Sequence, residues 1–190
     1  MSTRPPHEVR LIGGRWKRSK LPVADRPGLR PTPDRVRETL FNWLGQDLSG
    51  WRCLDAFAGS GALGFEAASR GATEVTLLER DPALARSLQA SAKRLGAESI
   101  VVRCTDALSW MAGAEAGRFD LVLIDPPWDA GLLQPALMHA LPLVADGGFV
   151  YLESGDDLPA PPDGFGGWRE GRAGAVHHGL WRRGYTAADR

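Results

Sequence analysis

The four residues Asp125-Pro126-Pro127-Trp128 directly follow a continuous apolar stretch, Phe119–Ile124, which predicts a buried strand. Prolines end a strand because they cannot donate to its ladder, and a plain turn is the structural alternative here. At the strand end, the Asp125 carboxylate and the Pro126 carbonyl are two acceptors, and Pro127 adds no competing N–H. An exocyclic base amine can donate hydrogen bonds to these two acceptors, which makes its conjugated lone pair available for reaction. Trp128 can stack on the same base.

Aspartate at the first of these positions favours guanine as the base. Guanine presents its N1–H and N2–H₂ donors side by side, and a carboxylate accepts from both. Adenine presents an N1 acceptor beside the N6 donor, which an amide matches better. Some enzymes that modify adenine N6 also have aspartate at this first position, so adenine remains an alternative.

A glycine-rich turn follows the first apolar strand, with Gly59, Gly61 and Gly64 in the G-x-G-x-x-G spacing. Glycine permits a tight turn and a close approach of backbone to ligand. Glu79 follows Gly59 by roughly 20 residues, where a carboxylate accepts both hydroxyls of a ribose. These features predict a nucleoside cofactor and leave NAD and S-adenosylmethionine both open.

Two further acids favour S-adenosylmethionine. Asp55 precedes the glycine turn, where a negative charge suits the ammonium and sulfonium groups of that cofactor and would repel a pyrophosphate. Asp106 follows the third predicted strand, where its carboxylate can accept a hydrogen bond from the adenine amino group. A helix N-cap is the structural alternative for Asp106, and the two roles can coexist.

The elements that hold these groups alternate between strand and helix, which predicts a doubly wound α/β domain with a mostly parallel sheet. The predicted strands are Arg52–Phe57, Glu74–Glu79, Ser99–Thr105, Phe119–Asp125 and Gly148–Glu153. The predicted helices are Ala62–Arg70, Pro82–Leu95, Ala107–Ala112 and Gly131–Leu141. Trp168–Arg183 supplies closing strands. Ligands of such folds bind beyond the carboxyl ends of the strands.

Positive charge is concentrated at the N-terminus. Residues 1–37 hold ten Lys or Arg and three acids, a net charge of +7, so the remainder carries −7. Val9–Asp25 predicts a hairpin or arm, and a helix follows with Thr32 as its N-cap and with Arg35 and Arg37 off its apolar face. We expect residues 1–31 to form a basic arm and 32–190 a methyltransferase domain, within one globular unit. Such an arm fits a polyanion, and a solvated tail is the plain alternative.

The chain's 190 residues and 43% hydrophobic content suit one domain with its own core. It contains no apolar run of about 18 residues and no visible secretory signal, so we expect no membrane contact. Cys53 and Cys104 lie in apolar stretches and are expected to be buried free thiols, without a metal site. Together these features lead us to expect a cytoplasmic monomer.

The motifs now assembled resemble the RsmD family, the 16S rRNA (guanine(966)-N(2))-methyltransferases. The resemblance rests on RLIGGRWKRSKLPV, GLRPTPDRVRETLFNWL, LDAFAGSGALGFEAASRGA, the Glu79-Arg80-Asp81 turn and FDLVLIDPPW, and it covers most of the chain. It implies a Rossmann-like class I fold with a seven-stranded sheet and a small N-terminal hairpin and helix. It also implies S-adenosyl-L-methionine as donor and 16S rRNA, in the small ribosomal subunit or an assembly intermediate, as substrate.

By this resemblance three sets of residues acquire roles. Asp125, Pro126, Pro127 and Trp128 are similar to the catalytic turn, although the family usually has Phe or Tyr where this chain has Trp128. The expected cofactor-binding residues are Asp55, Phe57, Gly59, Gly61, Glu79, Arg80, Asp106 and Ala107. The expected RNA contacts are Arg10, Arg15, Lys17, Arg18, Lys20, Arg30, Arg35 and Arg37, of which Arg30 could instead orient the catalytic turn.

Three other interpretations fit part of the sequence. A nicotinamide-dependent oxidoreductase explains the glycines and Glu79 but neither the Asp125–Trp128 turn nor the basic arm. A DNA adenine-N6 methyltransferase shares the catalytic turn, but 190 residues leave little room for a sequence-reading domain. A non-catalytic RNA-binding factor would have no use for an intact cofactor pocket.

Overall fold

The computed structural model describes residues 7–26, 29 and 31–186, which form a seven-stranded sheet, a two-stranded hairpin and five α-helices. The hairpin pairs β1 (His7–Arg10) with β2 (Lys20–Val23). The sheet strands are β3 (Arg52–Asp55), β4 (Glu74–Glu79), β5 (Ile100–Cys104), β6 (Phe119–Ile124), β7 (Val144–Ser154), β8 (Phe165–Ala173) and β9 (Val176–Arg183). Their order is β5-β4-β3-β6-β7-β9-β8.

Strands β3 to β7 are parallel, and β9 and β8 close the sheet in antiparallel pairing. Crossovers between parallel strands require helices, and these are α2 (Ala62–Ser69), α3 (Pro82–Leu95), α4 (Ala107–Ala112) and α5 (Leu133–Ala140). A further helix, α1 (Asp34–Trp43), precedes the sheet. The predicted doubly wound α/β fold with an N-terminal hairpin is confirmed. Helix α3 is capped by Asp81, whose side chain accepts hydrogen bonds from Ala83 N and Leu84 N.

Two apolar layers cover the sheet. The hairpin, α1, α2 and α3 pack on one face, around Leu40, Phe41 and Phe65. Helices α4 and α5 pack on the other face, around Met111 and Leu137. Among the described residues, no helix combines the length and the apolar character needed to cross a membrane.

The hairpin is fixed to α2 by a buried carboxylate. Glu66 is fully buried and accepts hydrogen bonds from Ile12 N at 2.9 Å and Gly13 N at 2.8 Å. One turn further along the helix, Ser69 accepts from Trp16 N through its hydroxyl and from Arg15 N through its carbonyl. At Gly14, the residue before Arg15, an added Cβ would lie 1.9 Å from the Ser69 carbonyl oxygen, so only glycine fits here. The tip of the hairpin therefore lies at the carboxyl end of α2.

Arg37 also belongs to this buried network. Its side chain has no solvent exposure, and its guanidinium donates to Glu66, to the Arg10 carbonyl and to Asp34. The expectation that Arg37 contacts RNA is therefore wrong. The apolar periodicity of α1 placed Arg37 off the core face, but the hairpin covers that side of the helix and buries it.

The cysteines differ from the expectation of two buried thiols. Cys53 lies buried in β3, near the middle of the sheet, whereas Cys104 is exposed on β5. The reason is position, because β5 is an edge strand and has a neighbour on one side only. Val101 on the same strand is also exposed.

We predict that Glu66→Ala destabilises the protein by about 3–5 kcal/mol, because it leaves the Arg37 guanidinium and two backbone N–H groups buried without their acceptor. The free energy of unfolding, measured in urea, gives this value. The control is Asp34→Ala, since Asp34 pairs with Arg37 from a side chain that is 73% exposed. That variant should lose at most about 1 kcal/mol. Equal losses in the two variants would show that Glu66 does not organise the network.

Candidate active site

A cavity of about 900 Å³ opens at the carboxyl ends of β3, β4, β6 and β7. It contains the glycine turn on one side and the Asp125–Trp128 turn on the other. Among its lining residues are eleven of the twelve predicted for cofactor and catalysis: Asp55, Phe57, Gly59, Glu79, Arg80, Asp106, Ala107, Asp125, Pro126, Pro127 and Trp128. The twelfth, Gly61, caps α2 directly behind this wall.

The glycine turn is shaped by its contact with β3. Gly61 precedes α2 with a positive φ of 81°, a conformation that favours glycine. Gly64 lies against the sheet, where an added Cβ would come within 2.2 Å of Leu77. Its N–H donates to Asp55 Oδ2 at 3.0 Å, so the first turn of the helix and the end of β3 are held together.

Asp55 keeps one oxygen available. The residue is 1% exposed, and Oδ1 has no hydrogen-bond partner among the described residues. Burial, opposed by the Gly64 N–H, raises the pKa of Asp55 to about 7. A buried acceptor without a donor at the cavity wall suits a cationic ligand group such as an ammonium.

The Glu79 carboxylate is oriented by backbone donors. Its Oε2 accepts from Gly59 N at 3.0 Å and its Oε1 from Asp81 N at 2.8 Å. Each carboxylate oxygen has a second lone pair, so both can still accept a hydroxyl of a ribose. The orientation of Glu79 thus depends on the turn that follows it and on the glycine loop.

Asp106 caps α4 and also lines the cavity. Its Oδ1 accepts from Ser109 N at 2.9 Å, and this bond lowers its pKa. The cap that formed one of the two interpretations of Asp106 is therefore present, and the residue remains exposed. Nearby, Phe57 is half-buried, Arg80 is exposed and Ala107 is buried.

Trp128 stands across the cavity from the glycine turn. Its side chain is 37% exposed, and the six-membered ring of the indole packs on Gly155, where an added Cβ would lie 2.7 Å from Cε3. Pro126 is buried and Pro127 exposed. The aromatic face thus has firm support on one side while it remains accessible to a flat ligand.

Thr32 has a different role from the predicted one. Helix α1 begins at Asp34 with Pro33 as N-cap, and the cap has no side-chain hydrogen bond. The Thr32 hydroxyl instead donates to Asp125 Oδ2 at 3.4 Å, at the base of the Asp125–Trp128 turn. Thr32, in the turn that leads into α1, therefore forms part of the cavity floor.

Two buried residues of β7 join this floor and were missed by sequence reasoning. Glu153 is 2% exposed, lines the cavity, and accepts a hydrogen bond from the Tyr151 hydroxyl at 2.8 Å. Burial raises the pKa of Glu153 to about 7 and keeps the Tyr151 phenol protonated, with its pKa well above its ordinary value. The detectable signal was a glutamate at the end of the otherwise apolar strand Gly148–Glu153.

The predicted RNA contacts fall in different places. Arg10, Arg15, Lys17, Arg18, Lys20 and Arg35 have exposed side chains, and Arg30 lies outside the described residues. Lys20 is paired with Glu8 at 2.7 Å. The tip residues Arg15 and Lys17 lie at the carboxyl end of α2, whereas the cavity lies at its amino end. An eight-residue helix separates the two by roughly 12 Å.

Comparison with known proteins agrees with this architecture. Residues 9–182 match the family model described as Conserved hypothetical protein 95. The chain belongs to this family. The resemblance to the RsmD family is confirmed by a curated relative, ribosomal RNA small subunit methyltransferase D of Escherichia coli K12, which is 43% identical over 93% of this chain and 90% of its own length.

Other members of the family are similarly close. The Haemophilus influenzae protein of the same name is 39% identical over 92% of this chain and 94% of its own length. The solved structure of yhhF from Escherichia coli superposes with a TM-score of 0.83 and 41% identity, covering 95% of this chain and all of that one.

We predict that the stability of the protein falls as the pH rises from about 4.5 toward 7. The pKa of Glu153 is raised in the folded state from 4.5 to about 7, so its contribution is present at low pH and lost as the carboxyl ionises. In Glu153→Gln, the loss of unfolding free energy between pH 5 and 8 should be smaller than in the wild-type protein by on the order of 3 kcal/mol. Urea unfolding across this range measures it.

The matched control is Asp163→Asn, which removes a charge from an exposed side chain. This variant should keep the slope of the wild-type protein. If Glu153→Gln keeps that slope as well, the carboxyl of Glu153 titrates as it does in the unfolded chain.

Proposed function

We propose that this protein transfers a methyl group from S-adenosyl-L-methionine to N2 of a guanine in 16S ribosomal RNA. One observation carries the proposal: a single cavity joins a pocket lined by carboxylates suited to a nucleoside and a turn suited to a base amine. Its relatives named ribosomal RNA small subunit methyltransferase D support ribosomal RNA as the substrate class.

The donor pocket fits S-adenosylmethionine better than NAD. Glu79 would accept the ribose hydroxyls, and Asp106 the adenine amino group. The oxygen of Asp55 that has no partner would accept a hydrogen bond from the ammonium group of the donor. The negative charge of the Asp55 carboxylate disfavours a pyrophosphate at the same position. When bound, the donor supplies a methyl group on a positively charged sulfur.

The acceptor site would suit an exocyclic base amine such as guanine N2. A base that has left its stack would lie on the exposed face of Trp128, which Gly155 supports from behind. The Asp125 carboxylate and the Pro126 carbonyl would accept hydrogen bonds from the amine. This draws the nitrogen toward a tetrahedral geometry and makes its lone pair available for attack on the methyl group.

The basic tip of the hairpin would hold the RNA at a distance from the target base. Arg15, Lys17 and Arg18 are exposed, and they lie one helix length from the cavity. Contacts with phosphates position a nucleic acid without reading its sequence. An RNA that reaches both places must span roughly 12 Å of the surface that covers the buried helix α2.

The function is tested by transfer of tritium from labelled S-adenosylmethionine to small-subunit particles and to naked 16S rRNA, followed by nucleoside analysis. We expect N2-methylguanosine. In a parallel assay with duplex DNA, label in N6-methyladenine would identify an adenine methyltransferase instead. Binding of NADH without binding of S-adenosylmethionine in isothermal titration would indicate an oxidoreductase.

We predict that Asp125→Ala lowers the rate of methyl transfer by about 10²–10⁴, since the amine loses its principal acceptor. Donor affinity in isothermal titration should stay within a few-fold, because the donor pocket lies around Glu79. The control is Asp157→Asn, an exposed acid on the loop after β7, which should keep full activity. If Asp125→Ala transferred methyl groups at the wild-type rate, the Asp125–Trp128 turn would have only a structural role.

We predict that the double reversal Lys17→Glu and Arg18→Glu weakens RNA binding and lowers its salt dependence, by roughly one unit of slope for each phosphate that the protein no longer binds. RNA affinity over a salt series measures both. The control reverses Arg103 and Arg169, two exposed cations outside the hairpin, and so makes the same change in net charge. If both double variants weaken binding equally, the effect comes from net charge and not from the tip.

A further inference from the structure

The catalytic Asp125 has a buried carboxylate as its neighbour. Leu123 and Ile124 of β6 pair with Tyr151 and Leu152 of β7, so the next residue on each chain, Asp125 and Glu153, come side by side at the sheet edge. Neither carboxylate faces an arginine or lysine side chain within 4.0 Å among the described residues. Two acids placed together under a cavity, without a close counter-ion, form an arrangement that stability alone does not favour.

One hydroxyl joins the two acids. Thr32 donates its single hydroxyl hydrogen to Asp125 Oδ2 at 3.4 Å, and the same hydroxyl can turn toward Glu153 instead, a hydrogen bond that lowers the pKa of Glu153. Tyr151 donates to Glu153 Oε1 at 2.8 Å. Glu153 is therefore oriented by Tyr151 and shares the Thr32 hydroxyl with Asp125.

We propose that Glu153 is a positioning residue which, through Thr32 and through its own charge, makes Asp125 the acceptor of the proton that the amine loses. The inference rests on the proposed function. During transfer, the bond from sulfur to methyl breaks and the bond from methyl to N2 forms. One N–H bond then breaks, its electron pair stays on nitrogen, and its proton passes to Asp125. The products are the neutral methylamine, the uncharged thioether and the protonated carboxyl.

The groups around Asp125 and Glu153 shift the pKa values of both carboxyls. Burial, the Glu153 charge and the Asp55 charge raise the pKa of Asp125 well above its ordinary value, and the Thr32 hydroxyl lowers it. Arg37 lowers the pKa of Glu153 from the α1 side. His178, opposite Glu153 on β9, has a lowered pKa because of burial, so it brings no positive charge at neutral pH. A carboxylate tuned upward in this way is a better proton acceptor than an ordinary aspartate.

The experiment measures single-turnover methyl transfer to small-subunit particles as a function of pH, with saturating S-adenosylmethionine. In Glu153→Gln, which keeps the shape and the acceptor for Tyr151, the acid limb of the profile should move to lower pH by about one unit or more. The plateau rate should fall, since Asp125 becomes a weaker base. Thr32→Val removes a hydrogen bond to the ionised form, so its acid limb should move to higher pH.

These opposite shifts distinguish the proposal from a structural role, which would lower the rate equally at every pH. Asp157→Asn is the control and should leave the limb in place. An unmoved limb in Glu153→Gln, in an otherwise active protein, overturns the inference and leaves the proposed function standing. Wild-type protein that transfers no methyl to guanine overturns both. NMR titration of carboxyl-labelled aspartate reports the pKa of Asp125 without turnover, and an unchanged value in Glu153→Gln also overturns the inference.

Discussion

The Glu66 carboxylate is the interaction on which the rest of this structure depends. It lies without solvent exposure in the middle of α2, and it accepts hydrogen bonds from the hairpin backbone, from Arg37 of α1 and from Arg70. Three separate segments of chain therefore meet at one side chain. A buried charge is costly unless it is fully paired, so these segments can dock in only one arrangement.

That arrangement determines the floor of the cavity. With Arg37 held by Glu66, the start of α1 is fixed, and the Arg37 Nε donates to the Thr32 carbonyl at 3.3 Å. Thr32 then lies against Asp125. The hairpin and the Asp125–Trp128 turn are far apart in sequence, yet a short chain of polar contacts joins them. The same residues that attach the basic tip also set the surroundings of Asp125.

The sequence predicted the elements well where the evidence was local. The strand Glu74–Glu79 and the helix Pro82–Leu95 have the predicted bounds, since strand patterning and the Asp81 cap are contained within a few residues. The predictions for Arg37 and Thr32 failed because both depend on the hairpin or the catalytic turn, which lie far away in the chain. Glu153 was missed for the same reason: its significance comes from a neighbouring strand.

The hairpin is attached through its backbone, and this leaves its outer side chains unconstrained. Ile12, Gly13, Arg15 and Trp16 are held by their N–H groups, which every residue except proline possesses. The close approach at Gly14 requires glycine, but the exposed positions 15, 17 and 18 contribute little to the attachment through their side chains. The tip is thus an exchangeable surface on a fixed support, and its charge and shape can diverge between homologous proteins while the geometry of the catalytic cavity is preserved.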